Sequence, residues 1–320
     1  MTTQAARLSG PPTEPDRDSF FTRLRRRNWF PYLMTVPAVI VVLAVVVYPM
    51  AYSLFVSFTP FHLLRPDTTS QFVLDDMFNN YARLARDDVF WRALWNTILF
   101  MVVTVNVSVL IGFGLAMMLA RMTFAMGPVR VLLMIPMMFA PVLIGFQFAW
   151  FFNATVGLVN NALLTLGVIS EPVAWLVDEP SGMISLMMAT IWMTVPVVTI
   201  VLLAGRLSLS DELYDAASVD GASVYQRMRH ITLPQMRPFF IIVMVLLSLD
   251  IARAYDIVRI MTDGGPAHRT ELIWTYAGQL AIRGSQFGLA SAMSMTGVVL
   301  GVAFTFILFR QMMALRKDMG

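Results

Sequence analysis

The stretch Asp215-Ala-Ala-Ser-Val-Asp-Gly221, followed after nine residues by Ile231-Thr-Leu-Pro234, is a polar island between two apolar runs. Its local chemistry predicts two short helices. Ser210 is a suitable N-cap, and Asp211, Glu212 and Asp215 place negative charge near a helix start. Arg227, Arg229 and His230 place positive charge near the end of a second helix. Ala216 and Ala217 have almost no side chain, so another surface can approach closely there. Gly221, after Asp220, offers a left-handed or tightly packed backbone between the helices, and Pro234 closes the unit before the next apolar run.

Outward from this island the chain is a series of long apolar runs. Uncharged segments lie between Arg27 and Arg65, Arg92 and Arg121, Arg130 and Glu171, Glu179 and Arg206, and Arg283 and Arg310. Each exceeds the roughly 20 residues that cross a bilayer as a helix. A sixth, from Pro238 to about Met261, is apolar at first and then carries Asp250, Arg253, Asp256 and Arg259. With 58% hydrophobic residues, 13% charged residues and mean hydropathy +0.69, the chain reads as an all-α integral membrane protein with six transmembrane helices. The polar island lies between spans four and five.

Charge sets the expected topology. Most of the 23 basic residues fall in four clusters, Arg7 to Arg27, Arg121 with Arg130, Arg206 to Arg237, and Arg310 to Lys317. The positive-inside rule then puts both termini and the polar island in the cytoplasm. A basic patch for nucleic acid is not needed to explain the high pI. The expected organisation is a cytoplasmic tail at 1–30, a first span at 31–58, an external loop at 59–92, a five-span core at 93–312 containing the loop 206–237, and a tail at 313–320. The run from Pro31 to Phe58 is longer than a secretory h-region and is expected to be a retained signal anchor. Residues 1–18 have the composition of a disordered segment. Phe20 to Phe30, with their interleaved arginines, read either as an interfacial turn resting on anionic lipid or as a topogenic charge cluster.

Enzyme chemistry finds no foothold. There is no cysteine, and His62, His230 and His268 fall on separate loops without metal-binding spacing. The only lysine, Lys317, is not part of a phosphate-binding loop. No catalytic residue, metal or bound cofactor is expected on this chain.

The spacing acidic-Ala-Ala-x-x-x-Gly, then nine residues and Ile-x-Leu-Pro, resembles the EAA loop of bacterial binding-protein-dependent ABC importer permeases, with Asp215 where Glu is usual. Phe78-Asn-Asn-Tyr81 and Phe90-Trp-Arg-Ala-Leu-Trp-Asn-Thr97 are similar to segments of the carbohydrate uptake family of the maltose and glycerol phosphate type. So are Gly127-Pro-Val-Arg130 with Ile135-Pro136, Trp192-Met-Thr-Val-Pro196 and Thr262-Asp-Gly-Gly-Pro266. The last of these looks like the first permease of the pair. The resemblance implies a coupling helix formed by Asp215, Ala216, Ala217, Asp220, Gly221 and Pro234, docked on ABC ATPase subunits that bind ATP and Mg. It also implies a second homologous permease, an extracytoplasmic solute-binding protein, and sugar import by alternating access. A polyol, glycerol phosphate or polyamine as solute stays open. A self-contained secondary transporter would need coupling-ion carboxylates in both halves, and only the fifth predicted span has them.

Candidate path residues follow from sugar chemistry, which uses hydrogen-bonding groups and aromatic faces. Asp250 and Arg253, with Asp256, alternate in sign at steps of three and read either as an ion-pair ladder or as a polar lining. Ser248 and Tyr255 add hydroxyls; Asn106 and Gln147 read either as path groups or as interhelical hydrogen bonds, and Trp150 and Trp192 either as stacking faces or as packing and interfacial anchors. Gly297-x-x-x-Gly301, and Gly112 with Ala116, permit close helix crossings within the chain or against a partner.

Overall fold

The computed structural model describes residues 30–65, 77–122 and 126–318. The N-terminal tail, its basic and aromatic segment, and residues 66–76 of the first loop lie outside these residues. The described residues are helical, with no strand beyond an isolated bridge between His62 and Arg65. The described residues up to Tyr52 form one unit and those from Ser53 a second.

The first helix, α1, runs from Phe30–Val42 through a π turn at Leu43–Val47 to Tyr48–Ser57. Its large apolar side chains between Leu33 and Tyr52 are exposed, the surface expected of a helix solvated by lipid rather than by protein. The short α2 (Asn79–Ala85) follows the loop, and then α3 (Asp88–Ala120) begins with Asp87 accepting a hydrogen bond from the Val89 amide. After α3 come α4 (Met126–Met134), α5 (Pro141–Phe151) and α6 (Leu158–Thr165), none of which has the length of a span. The remaining helices are α7 (Ser181–Leu207), α8 (Asp211–Val219), α9 (Val224–Ala252), α10 (Asp256–Met261), α11 (Ile273–Gly278) and α12 (Phe287–Asp318).

Among the described residues, five helices are long and apolar enough to cross a membrane: Leu33–Ser57, Asp88–Ala120, Ser181–Leu207, Val224–Ala252 and Phe287–Ile307. The third predicted span, between Arg130 and Glu171, is not among them. Pro136 and Pro141 each lack an amide donor, and Ala140 before Pro141 is extended, so the run breaks into α4, a 3-10 turn and α5. The 11 residues of α5 reach about 16 Å, roughly half the hydrocarbon core. The fifth predicted span also divides. Helix α9 ends at Ala252, the chain leaves helical geometry at residues 253–255, and Asp256 opens the separate α10, which packs on α5.

Helix α7 is central. Of its apolar window 61% is buried, against 22–33% for α3, α9 and α12, and it packs most extensively on α3. Phe100, Met101 and Val105 of α3 meet Leu186, Val198 and Leu202 of α7 and Met236, Val243 and Leu247 of α9 in one apolar core. A Cβ on Gly112 would fall 2.5 Å from Val198, so the small face of α3 sets the α3–α7 approach. Ser108 and Thr194 hydrogen-bond across this contact at 2.9 Å. The Gly297 to Gly301 face is likewise used inside the chain: Gly297 meets Ile273 and Trp274, and Gly301 faces Ala252.

Candidate functional site

Helix α8 is built as its residues dictate. The Ser210 hydroxyl accepts from the Glu212 amide, and Asp211 and Glu212 occupy the first turn. At its other end Gly221 adopts φ +79°, the Gly221 amide bonds Ser218 O at 3.1 Å, and the Ala222 amide bonds Ala217 O at 2.9 Å. That pair of bonds is a Schellman closure. Nothing lies within 4 Å of a Cβ at Gly221, so its left-handed backbone, not space, requires glycine there.

Of the residues singled out in this loop, Asp215, Ala216 and Asp220 are exposed and Ala217 is half-buried. Leu213 and Val219 are exposed as well, Val219 to 88%, which leaves an apolar and acidic outer face. The inner face carries a residue not singled out from sequence, Tyr214. Its hydroxyl meets the Thr232 hydroxyl at 2.9 Å, and the Arg206 guanidinium lies 4.1 Å from its ring centroid. Arg206 comes from the end of α7 and Thr232 from the start of α9, so one tyrosine ties α8 to both neighbouring membrane helices. The one aromatic among residues 211–219 was the available signal.

The second predicted helix does not stand alone. It is the first part of α9, opened by a capping box in which Ser223 and Gln226 exchange hydrogen bonds. The basic residues Arg227, Arg229 and His230 therefore sit in early turns of a long helix, not at a helix end. Pro234 does not close the unit either. The turn before it, Met228–Thr232, widens to π geometry, and the helix continues through the proline.

The candidate path residues divide between two cavities. Asp250, Arg253 and Tyr255, with Asp256, Thr190, Met193 and Pro141, line one of about 310 Å³. Gln147, Trp150 and Trp192 line a second of about 650 Å³, mostly aromatic, with Phe139, Phe146 and Phe148. Both cavities are walled by α5 and α7. Ser248 is buried and donates to Val245 O within its own helix, and Asn106 is exposed and donates to Val102 O, so neither joins them. The expected charge ladder is one pair. Arg253 meets Asp250 at 2.9 Å with both side chains more than half exposed, whereas Arg259 pairs with Asp263. The helix break at 253–255 removes Asp256 from the register a ladder needs. Among the described residues no group of three or more His, Asp or Glu side chains is placed to hold a metal.

No family model matches the chain. It is 32% identical over 279 residues to the trehalose/maltose transport system permease protein MalF of Thermococcus litoralis, covering 86% of this chain and 91% of that protein. Against the sulfoquinovosyl glycerol transport system permease protein SmoG of Agrobacterium fabrum it is 31% identical, covering 87% and 88%. The chain belongs to the permeases of sugar ABC transporters. A chain from the crystal structure of a bacterial ABC transporter involved in import of the acidic polysaccharide alginate shares the permease's fold. The TM-score is 0.79 and the identity 21%, over 92% of this chain and 99% of that one.

Several of the permease's sequence motifs hold other segments of the chain by hydrogen bonds. Asn80, of the Asn-Tyr segment, donates to the carbonyls of Ser57 and Thr59, and the Tyr81 hydroxyl meets Ser57 at 2.9 Å. Asn96 of the Asn-Thr pair donates to Arg269 O and Glu271 O, while the Thr97 hydroxyl accepts from the Ile273 amide. Asn96 and Thr97 thereby pin the segment after the Thr262 to Pro266 turn. Inside that segment Glu271 is fully buried, and its Oε2 accepts from Gln279 at 2.8 Å and faces His268 Nδ1 at 3.0 Å. Asp263 pairs with Arg259 and Arg283, and the Tyr276 hydroxyl donates to Asp87 at 2.5 Å. Burial, reinforced by the Asp87 carboxylate, raises the Tyr276 phenol above its ordinary range and keeps it a donor. Sequence reasoning did not select Glu271, Gln279 or Tyr276: the partner of Tyr276, Asp87, is 189 residues away, and the Glu271–Gln279 spacing of eight matches no motif.

Proposed function

We propose that the permease is a transmembrane subunit of an ATP-driven importer, the first of a permease pair, and that it moves a sugar or sugar derivative inward by alternating access. The third of six crossings would be the broken segment α4–α5, with both termini and α8 cytoplasmic. The solute-binding protein would deliver sugar on the opposite side, and partner ATPase subunits would bind ATP and Mg. The observation that carries this reading is α8: an exposed helix between two membrane helices, joined through Tyr214 to the end of one and the start of the next. Such a helix converts a push on its outer face into movement of α7 and α9. Relatives named for trehalose, maltose and sulfoquinovosyl glycerol support a sugar as solute. The two cavities beside α5 and α7 support a path with a charged and an aromatic part.

The outer face of α8 supplies the test. Ala216→Trp and Val219→Asp alter exposed positions without touching the Tyr214 contacts. In vesicles reconstituted with the partner subunits, both variants should insert normally, yet show weakened ATPase attachment or uncoupled ATP hydrolysis and lost sugar uptake. Wild-type uptake stimulated by the binding protein in both would refute the coupling role.

A further inference from the structure

The inner side of α8 closes a cavity of about 370 Å³ with an unusual lining. Arg121 enters from the end of α3, Arg206 from the end of α7 and Arg227 from the first turns of α9, with Tyr214 and Thr232 beside them. Of these three guanidinium groups only Arg206 has an acidic partner among the described residues, Asp211 at 3.9 Å, whose side chain is 87% exposed. Arg227 donates to a neutral hydroxyl, Ser218 Oγ, at 2.5 Å, and Arg121 makes no side-chain hydrogen bond or ion pair among the described residues. Three cations around one cavity repel each other unless an anion joins them.

We propose that this cavity binds a phosphate monoester. A monoester carries close to two negative charges and three acceptor oxygens, the number that three arginines can meet with charge-assisted bonds. A carboxylate, with one charge and two oxygens, leaves one guanidinium unmatched. The cavity has the room of roughly a dozen waters, more than bare phosphate fills. Met117, Ala120, Val224 and Met228 provide an apolar wall for the organic part of the ester. The ligand bridges the ends of three long helices to α8 and so holds in one arrangement the helix proposed to couple them. The same chemistry is offered by the headgroup of phosphatidic acid and by a soluble sugar phosphate.

The test uses the full-length chain in nanodiscs, comparing wild type with Arg121→Gln, Arg227→Gln and a remote charge control, Arg86→Gln. One arm titrates glucose 6-phosphate into phosphatidylcholine discs, with glucose and chloride at matched ionic strength as controls. The other replaces part of the phosphatidylcholine by phosphatidic acid. Thermal unfolding midpoint and amide hydrogen exchange over residues 211–219 are the readouts. Stabilisation and slowed exchange with glucose 6-phosphate alone assign a soluble ligand, and the same response confined to phosphatidic acid discs assigns the lipid. In either case Arg121→Gln and Arg227→Gln should weaken the response about tenfold or more, with Arg86→Gln unchanged. Arg121 is exposed and without side-chain partners among the described residues, so its substitution does not threaten folding. No response in either arm, reproduction of the response by chloride, or wild-type binding by both cavity variants would overturn the proposal.

Discussion

Gly264→Ala is a sharp test of how the buried carboxyl group of Glu271 is accommodated. Gly264 lies at φ +77°, and a Cβ there would stand 2.3 Å from Glu271 Oε2, 2.6 Å from Cδ and 2.7 Å from Oε1. The left-handed backbone alone costs alanine about 1–2 kcal/mol. The overlap forces the carboxyl group off Gln279 and His268, and bonds of this kind are worth about 1–3 kcal/mol each, giving a total of about 3–8 kcal/mol. That is a large part of a typical net stability. Removing the carboxyl group separately, with Glu271→Ala, loses the same two bonds but clears the space. In the double variant only the backbone term of about 1–2 kcal/mol should then be added to Glu271→Ala. The four proteins can be compared by unfolding in mixed micelles of increasing sodium dodecyl sulfate. Additive losses in the double variant would show that the Gly264–Glu271 contact is not the reason for glycine, and the reasoning would fail.

Asp250→Asn breaks an exposed ion pair, so the subunit should accumulate with stability changed by less than about 1 kcal/mol, while sugar uptake falls if the smaller cavity lies on the path. Loss of the protein from membranes would instead show a structural role. Because the chain has no cysteine, Ser218→Cys and Ala267→Cys report topology cleanly: an impermeant maleimide on intact cells should label the second and spare the first. Labelling of Ser218→Cys there would reverse the proposed orientation. Tyr276→Phe should lose about 1 kcal/mol, the phenol being only partly buried. Since the folded state favours the neutral phenol, the wild-type advantage should be full below the ordinary tyrosine pKa of about 10 and shrink as pH rises beyond it. An advantage that grows above that pH would contradict the assigned donor.

What the sequence by itself determined was set by residues within a few turns of one another. Apolar run length identified four of the membrane helices, and the Ser210 cap and the Gly221 turn delimit α8 as their local chemistry requires, because caps and left-handed turns depend on near neighbours. The break in the third predicted span was written in Pro136 and Pro141, but hydropathy averages over prolines and hid it. Likewise, the charges after Asp250 looked like a ladder only while a continuous helix was assumed. Tertiary structure decided the rest. That Asn96 holds the carbonyl of Glu271, that Tyr214 reaches Thr232, and that Gly297 meets Ile273 are pairings across distant segments, and no periodicity encodes a partner's identity. The three arginines beneath α8 come from three helices, so their shared cavity exists only once α3, α7 and α9 have packed.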